Sequence, residues 1–255
     1  MIGCRKGGVG KTTSTVNLAY ELSKRGERVL VLDFDGQANT TNYFKRLDTE
    51  FFIGDILTDR KADIRKAIYP AIVKGEELEN LHIVPSRKGD VMTRLDMDMQ
   101  SLAKRDERLK RHLDPILDDY DFVLIDTSPS TSVIFLNAVT ASTEFIFPTE
   151  YAQSSIEGIE ELLEHIQNVT FQDEDEINFM VVPTKVHKSS KRAFEQYDPY
   201  LRDVYEGKVS KAIIWHRSAI FNEAEYQLEP VSVVKPGDTA AMFYKSLARE
   251  VVDNV

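Results

Sequence analysis

Residues 3–13 read GCRKGGVGKTT, and no other stretch restricts the possible fold so strongly. The run fits G-x-x-x-x-G-K-[ST], with Gly3 or a residue near it opening a loop that Gly10, Lys11 and Thr12 close. Glycines at 7, 8 and 10, with Val9 between them, let backbone N–H groups turn toward a phosphate. In this motif Lys11 meets the outer phosphates and the Thr12 hydroxyl is an oxygen ligand for Mg²⁺. Thr13 continues into a helix whose positive N-terminal end adds to anion binding. Such a loop works only between a strand and a helix, so both must flank it. Lys6 is the residue this pattern leaves unexplained, because Lys11 already serves the phosphates.

Along the rest of the chain, short apolar runs alternate with longer amphipathic stretches. That is the pattern of an α/β fold, a doubly wound, mostly parallel sheet with helices on both faces. Strands are expected near residues 2–4, 28–33, 81–85, 122–126, 144–148, 178–183 and 211–214. Helices are expected over 11–25, 88–118, 131–141, 154–168, 189–204, 216–226 and 238–253. Gly26, just past Lys24 and Arg25, suits the C-terminal cap of the first helix. No repeat and no Pro-, Gly- or Ser-rich linker divides residues 1–255, so a single domain with a sizeable core is expected.

Composition removes several function classes. Runs such as FVLI and VIFL are far too short to cross a bilayer. The lone cysteine, Cys4, rules out an internal disulfide and a Cys-based zinc cage, and suits a reducing cytoplasm. With a net charge of −10, any contact with nucleic acid must use a local basic patch.

Acids should lie beside the loop, at the carboxyl ends of neighbouring strands where open α/β sheets bind ligands. The run VLVLDFD ends in Asp33 and Asp35, and FVLIDTSP carries Asp126. Asp126 reads as the Walker B acid holding Mg²⁺ through water, with Asp33 and Thr12 completing the metal set. Asp35 is placed to orient the attacking water for in-line displacement of a γ-phosphoryl group.

With these motifs the chain resembles the ParA/MinD group of P-loop ATPases, and within it the Soj-like ParA partition proteins. The group's deviant loop K-G-G-x-G-K-[ST] is matched at residues 6–12, and Thr13 completes K-T-T. Its D-x-D-P-Q-G-N segment is similar to DFDGQAN, with Gly36 in place of proline and Ala38 in place of glycine. Its D-x-P-P-S segment is similar to DTSPS, where Ser128 replaces the first proline. FPTEYAQSSIEGI and the closing KPGDTAAMFYKSLAREV also match, so the resemblance spans nearly the whole chain. It implies a weak, partner-stimulated ATPase with ATP and Mg²⁺ as cofactors and Lys6, Lys11 and Asp35 as catalytic residues. It also implies a role for Lys6 in trans, reaching the phosphates of a partner subunit's nucleotide in an ATP-bound homodimer, much as an arginine finger does.

The same resemblance implies nonspecific DNA binding by the ATP-bound dimer and release stimulated by a ParB-type centromere-binding protein, giving a nucleoid-associated cytoplasmic setting. Sequence-independent binding needs phosphate contacts from lysine and arginine. The candidate patch is TKVHKSSKR, with Lys185, Lys188, Lys191 and Arg192, together with Arg217; Lys208 and Lys211 are further candidates. Where relatives carry a second arginine, this chain has Ile220. Guanine-specific P-loop proteins end a similar strand with [NT]-K-x-D, and His187 stands at the acid's position, which favours ATP over GTP. Pro183 to Lys185 and the loop at 235–238 are expected to form the adenine pocket. Among rivals, a MinD-like membrane ATPase would need a basic amphipathic C-terminal helix, which YKSLAREVVDNV is not. An iron–sulfur relative would need a cysteine pair. A P-loop metabolic ligase would need a small-molecule pocket beside Asp126.

Overall fold

The computed structural model describes residues 1–130 and 132–254. Its strands are β1 (Val29–Phe34), β2 (Tyr69–Val73), β3 (Glu76–Val84), β4 (Phe122–Thr127), β5 (Phe145–Thr149), β6 (Phe179–Val186) and β7 (Ile214–Trp215). They pair in the orders β2-β3-β1-β4 and β5-β6-β7. Residues 1–3 join the two groups. Ile2 bridges both Asp126 and Ile146, its N–H donates to Ile125 O at 2.9 Å, and the Gly3 N–H donates to Ile146 O at 3.0 Å. The strand expected at 2–4 is therefore a single bridging residue, because the chain turns into the phosphate loop directly after it. Every named pairing is parallel except β2 with β3.

The helices are α1 (Lys11–Lys24), α2 (Asn39–Tyr43), α3 (Ile53–Thr58), α4 (Val91–Met99), α5 (Arg108–Leu113), α6 (Val133–Thr140), α7 (Gln153–Thr170), α8 (Lys191–Val204), α9 (Ser218–Gln227), α10 (Val231–Val234) and α11 (Thr239–Asn254). They cover both faces of the sheet, as β1 shows through its alternation. Leu30, Leu32 and Phe34 join a core with Ile53, Leu95, Leu109, Ile134 and Leu162, whereas Val29 and Val31 join one with Val16, Leu22, Tyr244 and Leu247. Gly26 follows α1 at φ 96°, the left-handed geometry expected of a C-terminal cap. No helix among the described residues is long and apolar enough to cross a membrane.

Three further expectations need correction. The long helix at 88–118 is broken into α4, α5 and a 3-10 turn at Asp114–Asp119. Lys104 adopts φ 50°, which ends any helix through it, and Pro115 has no amide hydrogen to continue one. The strand at 81–85 begins earlier, at Glu76, because it forms a hairpin with β2 through Lys74 and Gly75 at φ 54° and 78°. The last strand is only Ile214–Trp215 instead of 211–214. The helix expected at 131–141 has Ser132 as its N-cap, the hydroxyl accepting from Phe135 N–H, while its expected first residue, Thr131, lies outside the described residues.

Candidate functional site

The phosphate loop leaves the Ile2 bridge and enters α1 at Lys11. Gly8 and Gly10 sit at φ 80° and 95°, conformations that an L side chain rarely adopts. A Cβ added to Gly7, Gly8 or Gly10 would meet no heavy atom within 4 Å, so the loop faces open space. That space is a cavity of about 620 Å³ lined by Gly8, Lys11, Thr12, Asp35, Asn39 and Lys185, among others. Lys11 is buried beneath the loop, and its Nζ donates to Lys6 O at 3.3 Å.

Asp33 and Asp126 are cross-strand neighbours in the β1–β4 register, and both are fully buried. Asp126 Oδ2 accepts from Thr12 Oγ1 at 2.8 Å and from Thr40 Oγ1 at 2.7 Å, while its Oδ1 is buried with no partner among the described residues. Asp33 Oδ2 accepts from Thr41 N–H and Thr41 Oγ1 at 2.8 and 2.7 Å, and its Oδ1 accepts from Asp35 N–H at 3.0 Å. Burial raises both carboxyls above the usual carboxylate range. For Asp33 the charge of Asp126 adds to that rise, and Thr41 works against it. For Asp126 the hydrogen bonds from Thr40 and Thr12 pull the other way, as Lys11 does, and Asp35 adds to the rise.

Asp35 stands at the rim. Its Oδ1 accepts from Gln37 N–H at 2.9 Å, and its carbonyl accepts from Ser86 Oγ at 2.8 Å. The structure thus brings Thr12, Asp33, Asp35 and Asp126 together. It adds Thr40 and Thr41 on α2, which sequence reasoning overlooked. The only available signal was a pair of hydroxyls in NTTN, seven and eight residues after Asp33.

Lys6 is elsewhere. Its Nζ lies 3.2 Å from Ser154 Oγ, 3.4 Å from Ser155 Oγ and 3.7 Å from Glu150 Oε2, at the start of α7. It does not line the phosphate cavity. The two lysines of the loop therefore face different surroundings within one chain.

The remaining expected residues are divided between the loop and the surface. Pro183 is buried in β6 opposite Thr149 and lines neither cavity at the loop; its two successors do. Thr184 Oγ1 donates to Val9 O at 2.8 Å, and Lys185, at φ 51°, donates to Gly8 O. Beside the loop a smaller cavity of about 150 Å³ is lined by Thr184, His216, Phe221, Asn222, Glu225 and Tyr244, and none of residues 235–238 contributes. Of the expected DNA contacts, Lys188 and Arg192 are exposed. Lys191 pairs with Glu195 at 3.5 Å, Arg217 pairs with Asp238 at 2.7 Å, and Lys185 is engaged by the phosphate loop.

Among known families, the model described as an AAA domain matches residues 1–179. The sporulation initiation inhibitor protein Soj of Bacillus subtilis is 31% identical over 98% of this chain and 96% of its own. Among solved structures, McdA of Cyanothece in its apo form superposes with a TM-score of 0.81 at 19% identity, covering 98% of this chain and 97% of that one. A putative plasmid partition protein of Borrelia burgdorferi, bound to AMPPNP, gives 0.79 at 23% identity over 100% and 98%. With the family match over residues 1–179 and the Soj and ParA relatives covering nearly the whole chain, the chain belongs to the ParA/Soj group of the deviant Walker A P-loop ATPases.

Proposed function

We propose that this protein is a DNA-partition ATPase: it dimerises around bound ATP, holds nonspecific DNA in that state, and releases it when a ParB-type partner stimulates hydrolysis. The observation that carries this reading is the separation of the two loop lysines. Lys11 lies under its own phosphate cavity, whereas the Lys6 ammonium sits outside it with Glu150, Ser154 and Ser155. A cation so placed is not committed to its own phosphates and is available to a partner's site, as a two-subunit ATP sandwich requires.

The residues present fit Mg²⁺. Asp126 Oδ1 is a buried oxygen without a partner among the described residues, and Thr12 Oγ1 lies 2.8 Å from the other oxygen of the same carboxylate. Among the described residues no cluster of three or more His, Cys, Asp or Glu could hold an ion alone, so Thr12 and Asp126 would hold it together with nucleotide phosphates, whereas both oxygens of Asp33, expected in the metal set, already accept from Asp35 and Thr41. Bound there, the ion would neutralise charge on the β- and γ-phosphates. The loop amides and Lys11 would bind the phosphates, with Lys11 giving up the Lys6 carbonyl to do so. Asp33 holds the turn that presents Asp35 through the Asp35 N–H, and Asp35 would orient the attacking water. Thr184 and the α9 residues around Asn222 would line the base side.

The DNA-facing surface we propose is the start of α8, where Lys188 and Arg192 are exposed and Lys191 is tied only by an exposed pair worth little. DNA retention on a filter or biosensor should require ATP, and its log affinity should fall linearly with log salt. Equal binding with ATP, with ADP and without nucleotide would overturn the partition reading.

A further inference from the structure

At the end of the sheet away from the phosphate loop lies a second charged cavity of about 700 Å³ that the ATPase site does not use. Its position follows from the topology. The carboxyl end of β4 carries Asp126, α6 runs back from that end, and its last residue, Thr140, lines the cavity. The other walls are Arg60, just past α3, and side chains between Ala103 and Asp114 on and around α5. Five cationic side chains, Arg60, Lys104, Arg108, Lys110 and Arg111, face it against two carboxylates, Glu107 and Asp114.

This concentration runs against the chain as a whole, which has 42 acids to 32 bases. Elsewhere Arg28, Arg46, Arg94, Arg202 and Arg217 each hold a carboxylate. Around the cavity Glu107 is taken by Lys104 at 2.9 Å, and among the described residues no ion pair engages Arg60, Lys110 or Arg111. Cations do stabilise helix C-termini, and Arg108 does so here by donating to the Leu57 and Thr58 carbonyls at the end of α3. Lys110 and Arg111 likewise stand in the last turn of α5 itself, which leaves Arg60 without such a role. The Arg108 guanidinium is pinned, and α5 is anchored to α6, with Leu109 N–H donating to Asn137 Oδ1 at 3.0 Å. The Thr140 hydroxyl oxygen on the same wall is buried with no partner among the described residues.

We infer that this cavity binds a multiply phosphorylated small molecule. Like charges without carboxylate partners around one concavity repel one another until several negative charges arrive together, and phosphate oxygens accept from arginine and lysine with charge-assisted hydrogen bonds. The volume is that of a small-ligand pocket, and a concave site suits a compact anion better than a duplex. None of its walls is shared with the cavities at the phosphate loop, so this ligand is additional to the ATPase nucleotide.

The test is calorimetric titration of inorganic triphosphate into the full chain carrying Lys11→Ala, which removes the loop's own phosphate cation. Binding should persist there. Adding Lys110→Ala and Arg111→Ala, both at exposed positions, should weaken it at least tenfold, and Arg60→Ala alone should weaken it severalfold. Loss of binding with Lys11→Ala alone, or unchanged affinity in the added variants, would overturn the inference. Displacement of triphosphate by duplex DNA at equal phosphate concentration would also overturn it, making the surface a nucleic-acid interface.

Discussion

The ion pair between Lys6 and Glu150 sets up the sharpest quantitative expectation. If Lys6 acts in trans, each subunit must first detach it from Glu150, Ser154 and Ser155, so these contacts oppose dimerisation. Glu150→Gln removes the charge and keeps the shape. The pair spans 3.7 Å, with side chains 34% and 31% exposed, so solvent screens it strongly. Pairs of this kind are worth about 0.2–1 kcal/mol. Two subunits release two lysines, which makes about 0.4–2 kcal/mol per dimer, or about 2- to 30-fold in the dimer dissociation constant. Sedimentation velocity with a non-hydrolysable ATP analogue should show tighter dimers for Glu150→Gln, and the difference should shrink in high salt. Dimers weaker than wild type would mean that Glu150 acts within the assembled dimer, and the reasoning would fail.

Other perturbations separate the parts of the site. Without nucleotide or Mg²⁺, the raised Asp33 carboxyl contributes stability that is lost as pH rises from about 4 through its folded value of about 7; thermal melts of Asp33→Asn between pH 5 and 8 should lack that part of the fall and keep the part due to Asp126. Thr40→Val deletes a donor to Asp126 without touching the nucleotide loop and should weaken Mg²⁺ affinity about 10- to 100-fold, read by ATP binding across a Mg²⁺ series. Gly10→Ala forces an alanine to φ 95° and should cost about 1–2 kcal/mol in denaturant melts. Gly7→Ala meets open space and should melt like wild type while losing ATP affinity.

The loop and its acids were legible because their signals are local: glycines at fixed spacing, and acids closing apolar runs that must be buried strands. Thr40 and Thr41 were not, since their role depends on the chain turning back after β1 to bring α2 beneath Asp33 and Asp126. The surroundings of Lys6 were hidden for the same reason, because Glu150 and Ser154 reach it only through the β5–α7 junction, nearly 150 residues along. Helical periodicity across 88–118 survived the breaks at Lys104 and Pro115, so it concealed α5 and the cavity beside it. The basic run at 185–192 read as one patch, yet left-handed Lys185 turns its ammonium onto Gly8.

The account stands most directly on whether Lys6 completes a partner's site. Lys6→Ala and Asp35→Ala subunits, each inactive alone, can be mixed with ATP, Mg²⁺ and DNA while phosphate release is followed. In a mixed dimer one site combines the Asp35 of one chain with the Lys6 of the other. Random pairing then predicts recovery of about a quarter of the wild-type rate. No recovery, with dimers formed, would show that Lys6 and Asp35 must come from the same chain and would contradict the account.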